Sequence, residues 1–252
     1  MMRALFTAGS GMIIQERRQA NTTNNLSNAA TTGFKMQELI SKETGRSLIQ
    51  NREHSDRGKN FMRDIGEISL GAEIDEVYSN FEQGMLEETS RDTDFAIEGE
   101  GFFRVEFSDL QTGYTRNGHF KIDREGYLTT EDGKRVLSKN NQSILVEDKK
   151  LSVSGDGVVS LDGDEEYELG IVNIAGTNLK AIGEGYYLME NGQEVESEDA
   201  VIHQKMLEQS NVNPLKEMVR MIEIARSFES NQKVLQSIDK MMEKSVNSIG
   251  KV

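Results

Sequence analysis

The sequence contains no cysteine and no tryptophan, and it has a single proline among its 252 residues. Without cysteine, a disulfide framework and a thiolate metal site are both excluded. No apolar run approaches the roughly 18 residues that a membrane-spanning helix requires, which predicts no membrane insertion. With 36% hydrophobic and 29% charged residues, the composition is typical of a folded chain with one large or two small domains.

Positive charge is also scarce, since the formal net charge is −14. This balance argues against binding to nucleic acid. Residues 1–35 nevertheless sum to about +3, and the C-terminal part is close to neutral, so the acidic residues are concentrated in the middle of the chain. The first six residues resemble the start of a signal peptide, but the polar segment Gln15–Arg18 leaves no apolar core. This pattern predicts that any export proceeds without a cleaved signal peptide.

Both ends of the chain predict amphipathic helices. Small and apolar side chains recur at three- and four-residue steps through residues 3–30 and again through residues 214–248. Asn213 can cap the second helix, and Pro214 suits its first position, where no N–H is needed. Because amphipathic helices are not stable alone, we expect these two to pair as a coiled coil.

The middle of the chain predicts short β-strands. Most of its glycines lie between residues 99 and 192, where they separate short apolar segments. Glu125-Gly126 and Asp132-Gly133 predict tight hairpin turns. The predicted strands are Phe95–Ile97, Phe102–Phe107, Tyr114–Arg116, His119–Ile122, Tyr127–Thr130, Arg135–Leu137, Ser143–Val146, Leu151–Ser154, Val158–Leu161, Leu169–Ile174 and Tyr186–Met189. Residues 41–80 are polar and too weakly patterned to predict a regular element.

Together these patterns predict an α+β fold, in which an antiparallel β-rich central domain is inserted between long N- and C-terminal helices. The predicted organisation has three parts. Residues 1–35 and 204–252 form a terminal helical assembly domain. Residues 36–90 form an extended or irregular connecting region, and residues 91–203 form a β-rich body domain.

Three groups of motifs, in order along the chain, resemble the rod and hook subunits of the bacterial flagellum of the FlgF/FlgG type. The first group is Ala8-Gly9-Ser10-Gly11-Met12, Asn24-Asn25-Leu26-Ser27-Asn28 and Thr31-Thr32-Gly33-Phe34-Lys35. The second is Gly99-Glu100-Gly101-Phe102-Phe103 and Tyr114-Thr115-Arg116-Asn117-Gly118-His119-Phe120. The third is Leu207-Glu208-Gln209-Ser210-Asn211-Val212-Asn213, followed by Glu217-Met218-Val219-Arg220-Met221-Ile222.

The resemblance implies a structural subunit of the flagellar rod in the basal body, which polymerises through its terminal helices and transmits torque. It implies as partners further copies of the chain, other axial rod and hook subunits, and the flagellar type III export apparatus. It implies no cofactor, metal site or catalytic residue. The histidines His54, His119 and His203 are too scattered to indicate a metal site or a triad. Three alternatives remain: a hook-type axial subunit, a monomeric surface-binding β-domain protein, and a β-domain hydrolase with paired carboxylates.

The helical stripes and the motifs together define a predicted subunit interface, in which apolar side chains pack and asparagine amides bridge chains. These residues are Leu5, Met12, Ile13, Gln15, Asn24, Asn25, Leu26, Asn28, Met218, Met221, Ile222, Ala225, Phe228, Leu235 and Met242. The aromatic residues between the glycines define a predicted body core, which consists of Phe102, Phe103, Tyr114 and Phe120.

Overall fold

The computed structural model describes residues 2–54, 60–108, 111–147, 149–162, 165–174, 178–190, 192–197 and 200–249. Its helices are α1 (Met2–Ser27) and α2 (Pro214–Ile249). The strands of the first half are β1 (Gln37–His54), β2 (Asn60–Ser79), β3 (Leu86–Glu88), β4 (Phe95–Glu98), β5 (Phe102–Ser108), β6 (Gln111–Thr115), β7 (Phe120–Ile122) and β8 (Leu128–Thr130). The later strands are β9 (Leu151–Val153), β10 (Val158–Leu161), β11 (Glu165–Glu168), β12 (Ile171–Asn173), β13 (Leu179–Gly183), β14 (Tyr186–Met189), β15 (Val195–Glu196), β16 (Val201–Gln204) and β17 (Met206–Glu208).

The chain divides into two compact units. The helix–strand unit combines Met1–Leu26, Gln37–Tyr78 and Pro214–Val252, and the body unit combines Ser27–Met36 with Ser79–Asn213. The α+β class, with terminal helices flanking an antiparallel β-rich domain, is confirmed. No helix in the described ranges is both long enough and apolar enough to cross a membrane.

The two helices begin and end near their predicted positions. Helix α2 begins at Pro214, as the missing N–H of proline predicts. Helix α1 ends at Ser27, three residues before its predicted end at residue 30, and a turn continues to Gly33. Gly33 has a φ of 68°, and a β-carbon at this position would lie 2.4 Å from the backbone nitrogen of Asn117. Glycine is therefore required where the chain leaves this turn.

The predicted extended or irregular connecting region, residues 36–90, contains β1 and β2, which form a two-stranded sheet. Lys42 Nζ lies 2.9 Å from Asp75 Oδ1, Arg46 pairs with Glu67, and Gln50 Nε2 donates to Asp64 Oδ1 at 2.9 Å. From the first pair to the third, the residue number increases along β1 and decreases along β2, so the two strands are antiparallel. Most of the side chains are exposed, so the strand order comes from cross-strand polar pairs that hydrophobic periodicity does not detect.

The body unit contains a six-stranded antiparallel sheet in the order β13-β14-β6-β5-β12-β15 and a three-stranded sheet in the order β11-β10-β9. Strand pairs β16-β4, β17-β3 and β7-β8 complete it. The predicted strands between residues 95 and 189 largely match, although Arg135–Leu137 and Ser143–Val146 make only isolated bridges. The body unit extends to Asn213, beyond the predicted domain boundary at residue 204, and β16 and β17 pair with its strands. Residues 27–35, which were predicted in the helical assembly domain, also lie with the body unit.

The described residues of the body unit form two separate clusters of buried apolar side chains. Phe103 and Phe120 lie in the first core with their rings 5.2 Å apart, whereas Phe102 and Tyr114 lie in the second. All four predicted core residues are buried. Phe102 and Phe103 serve different cores because successive side chains of a strand point to opposite faces of the sheet.

Candidate assembly surfaces and a buried charge cluster

Helix α2 turns one continuous stripe of side chains towards its own unit. Apart from Ser227, the buried and half-buried positions alternate four- and three-residue steps along the helix, which is the spacing of a coiled-coil seam. These positions are Glu217, Met221, Ile224, Phe228, Asn231, Leu235, Ile238, Met242 and Ser245. Four predicted interface residues, Met221, Phe228, Leu235 and Met242, therefore face their own unit.

Helix α1 also turns one stripe inwards, and this stripe is polar in its middle. The positions are Ala8, Gly11, Ile14, Gln15, Arg18, Thr22 and Asn25. At Gly11 a β-carbon would lie 3.2 Å from Nδ2 of Asn231, so the two helices approach each other closely at this point. The predicted interface residue Gln15 thus lies on the inner side, beside the half-buried Met12 and Leu26.

Asn25 was predicted to bridge chains, but the structure uses its amide inside the chain. The residue is completely buried. Its Nδ2 donates to the carbonyl of Gln37 at 2.8 Å, and its Oδ1 accepts from the N–H of Gln37 at 3.0 Å. Asn21 Nδ2 donates to the same carbonyl at 2.7 Å. The amide of Asn25 therefore satisfies both backbone groups at the start of β1, as a neighbouring strand would.

A polar cleft of about 410 Å³ lies within the helix–strand unit, between α1, β1 and α2. Arg220 donates to Glu217 at 3.0 Å and lies 3.9 Å from Glu38. Glu217 is buried, and its second carboxylate oxygen has no partner in the described ranges. The cleft is lined by Gln15, Arg18, Asn21, Thr22, Glu38, Leu39, Arg220, Glu223, Ile224 and Ser227. The lining carries two cationic and two anionic side chains, so its formal charges cancel.

A second, outward apolar surface remains on both helices. On α1 the exposed fractions are 40% for Leu5, 57% for Phe6 and 59% for Ile13. On α2 four large apolar residues in the first turns are at least half exposed: Leu215, Met218, Val219 and Ile222. Their spacing of three, four and seven residues places them on one face of the helix. We call these two sets the α1 patch and the α2 patch.

The predicted interface residues thus fall into two groups. The exposed ones are Leu5, Ile13, Asn24, Met218, Ile222 and Ala225. The others, including the half-buried Asn28 in the body unit, are covered by their own chain. The predicted interface omitted Phe6, Leu215 and Val219. Their helical spacing from residues that were predicted could have identified them.

The body unit contains a buried cluster of opposite charges that sequence reasoning missed. Lys35 Nζ lies 2.6 Å from Glu208 Oε1, and both side chains are 1% exposed. Arg116, 3% exposed, lies 3.4 Å from the other oxygen of Glu208. The N–H of Gly84 also donates to Glu208, at 2.8 Å. Charged residues of this kind are almost never fully buried unless they are paired.

Burial sets the electrostatics of this cluster. It lowers the pKa of the Lys35 ammonium, because loss of water outweighs the attraction of Glu208. Burial likewise lowers the pKa of the Arg116 guanidinium, against the same attraction. Lys35 also donates to the carbonyl of Glu82 at 2.7 Å, and Arg116 donates to that of Gly99 at 2.7 Å. Two cations and one carboxylate are therefore held in place by a shell of backbone groups.

Nothing in the described part of the chain assembles a metal centre, since no group of three or more His, Cys, Asp or Glu side chains converges there. Two described histidines lie beside a carboxylate: His203 Nε2 is 2.6 Å from Glu98 Oε2, and His119 Nδ1 is 3.0 Å from the buried Asp94. The other ring nitrogen of His119, Nε2, lies 2.7 Å from Arg91. In a catalytic triad, the nucleophile bonds to the ring nitrogen that faces away from the carboxylate. Here the guanidinium of Arg91 occupies that position.

Comparison with known proteins gives three matching family profiles in chain order. Residues 5–35 match the flagella basal body rod protein family, and residues 96–161 match the flagellar hook protein FlgE/F/G D1 domain. Residues 203–249 match the flagellar basal body rod FlgEFG protein C-terminal family. These three ranges contain the three groups of motifs on which the resemblance rests.

Relatives match over nearly the whole chain. The flagellar basal-body rod protein FlgG of Borreliella burgdorferi is 36% identical, over 96% of this chain and 97% of the relative. The flagellar basal-body rod protein FlgF of Caulobacter vibrioides is 32% identical over the full length of both chains. The flagellar hook-basal body complex protein FlhO of Bacillus subtilis is 31% identical, also over both full lengths. The chain therefore belongs to the family of flagellar basal-body rod proteins of the FlgF/FlgG type.

Proposed function

We propose that this chain is a structural rod subunit that polymerises with further copies of itself through the α1 and α2 patches. The observation that carries the proposal is the exposure of these patches in a single copy. Seven large apolar side chains, each at least 40% exposed, lie on helices whose other faces are already buried. Contiguous apolar surface of this kind is characteristic of protein interfaces.

The two patches differ in sequence and lie on different helices, which favours a contact between unlike surfaces. A contact of this type repeats from copy to copy and produces an open helical polymer when the rotation does not close a ring. A contact between like surfaces would stop at a dimer. The occupant that we propose for each patch is therefore the other patch on a second copy.

Within one copy, we propose that α1 and α2 pair as a coiled coil. The alternating four- and three-residue spacing of the inner stripe of α2 supports this pairing, as does the close approach at Gly11 and Asn231. The polar middle of α1, with Gln15 and Arg18 on its inner stripe, favours contacts with β1 there instead: Arg18 donates to the hydroxyl of Ser41 at 3.2 Å.

The family suggests the wider setting. We propose that the polymer lies in the flagellar basal body, contacts other axial rod and hook subunits, and transmits torque. We also propose that the chain reaches this site through the flagellar export apparatus. The relatives carry the names of structural components rather than enzymes, which favours a non-enzymatic protein. A hook-type subunit remains an alternative, since the profile at residues 96–161 is named for FlgE as well as FlgF and FlgG.

The test places a charge in each patch of the purified full-length chain. Ile13→Asp and Ile222→Asp both remove an exposed isoleucine and would bury a carboxylate in the polymer. Burying an isoleucine is worth about 1.5–3 kcal/mol, and an unpaired buried charge costs several more. We expect the critical concentration for polymerisation, measured by sedimentation, to rise at least about 100-fold. Ile182→Asp, at a residue of the body unit that is 42% exposed, is the matched control and should change it little.

Mixing the two variants tests the pairing of unlike patches. Each variant keeps one intact patch, so neither should polymerise alone, while an equimolar mixture should form a 1:1 dimer in analytical ultracentrifugation. Polymerisation of both variants at wild-type concentrations would rule out the patches as assembly surfaces. A wild-type chain that stays monomeric at every concentration would favour the monomeric surface-binding alternative.

A further inference from the structure

Three of the four chain passages between the two units begin beside one hydrogen-bonded ring in the body unit. The chain crosses from one unit to the other at 26/27, 36/37, 78/79 and 213/214, and the ring lies beside the last three crossings. Met36, Asn80 and Asn211 stand within two residues of these crossings. The N–H of Met36 donates to Asn211 Oδ1 at 2.7 Å, and the N–H of Asn80 donates to the carbonyl of Met36 at 2.8 Å. Asn211 Nδ2 closes the ring by donating to the carbonyl of Asn80 at 2.9 Å.

The buried charge cluster lies directly along the chain from this ring. Lys35 precedes Met36, and its ammonium donates to the carbonyl of Glu82, two residues after Asn80. Glu208 precedes Asn211 by three residues, and its own carbonyl accepts from the N–H of Gly33 at 2.7 Å. The ring and the charge cluster therefore join the same three segments, which lie around Met36, Asn80 and Asn211. The bonds of the ring are between neutral groups, and those of the cluster involve charged side chains. We call the ring and the cluster together the junction clamp.

The residues that form the junction clamp lie far apart in the sequence. Lys35 falls in the first family match, Arg116 in the second and Glu208 in the third. Lys35 and Glu208 are separated by 173 residues. Neither charge can be buried alone at acceptable cost, because an unpaired ion in the interior is strongly unfavourable. The clamp therefore closes as a whole once both end segments are present.

We propose that the junction clamp is a positioning device for assembly: it fixes the points from which β1, β2 and α2 leave the body unit, although its charges are buried within a single copy. This inference rests on the proposed polymerisation. Residues of the patches would act by contact, whereas clamp residues would act only by holding the three passages together. Opening the clamp should therefore abolish polymerisation while the sheets of the body unit remain folded.

The first test is Glu208→Gln in the full-length chain, which keeps the shape of the side chain and leaves Lys35 and Arg116 without a counter-charge. We expect the amide protection of Gly33 and Met36 in hydrogen exchange to fall by roughly two to three orders of magnitude. Protection in β5 and β6 should fall much less, and polymerisation should be lost. The matched control is Asp92→Asn, which removes an exposed ion pair with Lys205 at 2.8 Å and should change neither readout.

A second variant covers the case in which Glu208→Gln fails to fold. Asn211→Ala opens the neutral ring without leaving a buried charge, and its control is Gln209→Ala, which loses an exposed hydrogen bond to Glu87. Loss of Met36 protection together with loss of polymerisation would support the proposal. A chain with an opened clamp that polymerises at the wild-type critical concentration would overturn it and leave the proposed rod function intact. Failure of the wild-type chain to polymerise would instead overturn the proposed function.

Discussion

Asn25→Ala is the substitution for which the structure gives the sharpest expectation within the helix–strand unit. The change removes an amide that is completely buried and that bonds both backbone groups of Gln37. The carbonyl of Gln37 retains Asn21 as a donor, at 2.7 Å. The N–H of Gln37 loses its only side-chain acceptor among the described residues. One backbone donor is therefore left unsatisfied next to a new small cavity.

The size of the effect follows from these bonds. Two net hydrogen bonds contribute about 0.5–1.5 kcal/mol each, and an unsatisfied buried donor adds about 1–3 kcal/mol. Gln37 is only half-buried, so water reaches it in part and the lower end of that range applies. Alanine improves helix propensity by about 0.6 kcal/mol, which offsets part of the loss. We expect a net destabilisation of about 2 kcal/mol.

Urea unfolding of the monomer measures this change, and hydrogen exchange at the Gln37 amide locates it. Gln19→Ala is the control, because Gln19 is an exposed amide residue on the same helix and should lie within about 0.5 kcal/mol of wild type. Asn21→Ala should fall between the two. If Asn25→Ala matched Gln19→Ala in stability and in Gln37 exchange, Asn25 would not anchor β1. Its proposed role in bridging chains would then regain support.

Two further predictions concern the body unit. Gly118→Ala should prevent native packing, because a β-carbon at this position would lie 1.7 Å from the carbonyl oxygen of Phe95. The expected result is loss of the cooperative thermal unfolding transition. A melting curve like that of the wild-type chain would refute this prediction. Burial raises the pKa of Tyr187 to about 12, and it also raises the pKa of Tyr114 and of Tyr186. Above pH 10, the folded state therefore keeps phenolic protons that the unfolded state has released. Stability contributed by these groups is complete below pH 10 and should fall as pH rises towards 12, which tyrosinate absorbance and denaturant unfolding together would detect.

Sequence patterns predicted the parts of the fold whose order depends on local signals. Hydrophobic periodicity located both helices, and Pro214 marked the start of α2 to the residue. Glycine turns located most strands of the body unit, since Gly126 and Gly133 both adopt the positive φ that a tight turn requires. These signals are local because a turn or a helical stripe is encoded by residues a few positions apart.

The parts that were missed depend on pairs that are distant in the sequence. Strands β1 and β2 are held by polar cross-strand pairs such as Lys42 with Asp75, and a polar strand with both faces exposed has no apolar alternation to detect. The charge cluster pairs Lys35 with Glu208 across 173 residues, and nothing in either local motif indicates burial. Single charged residues are mostly exposed in proteins, so their type alone gives no signal of burial.

The faces of the helices show why a periodic stripe is not enough to define an interface. Helix α2 has an apolar residue on both of its faces in the first turns: Met221 points inwards, and Ile222 is 55% exposed. A single sequence assigns both to one broad stripe, and only the fold decides which of them the chain itself covers. The consequence is measurable, because Met221→Asp should lower the stability of the monomer whereas Ile222→Asp should leave it nearly unchanged and act on assembly. If both substitutions reduced monomer stability equally, Ile222 would be covered within one copy, and the α2 patch would not be available to a neighbour.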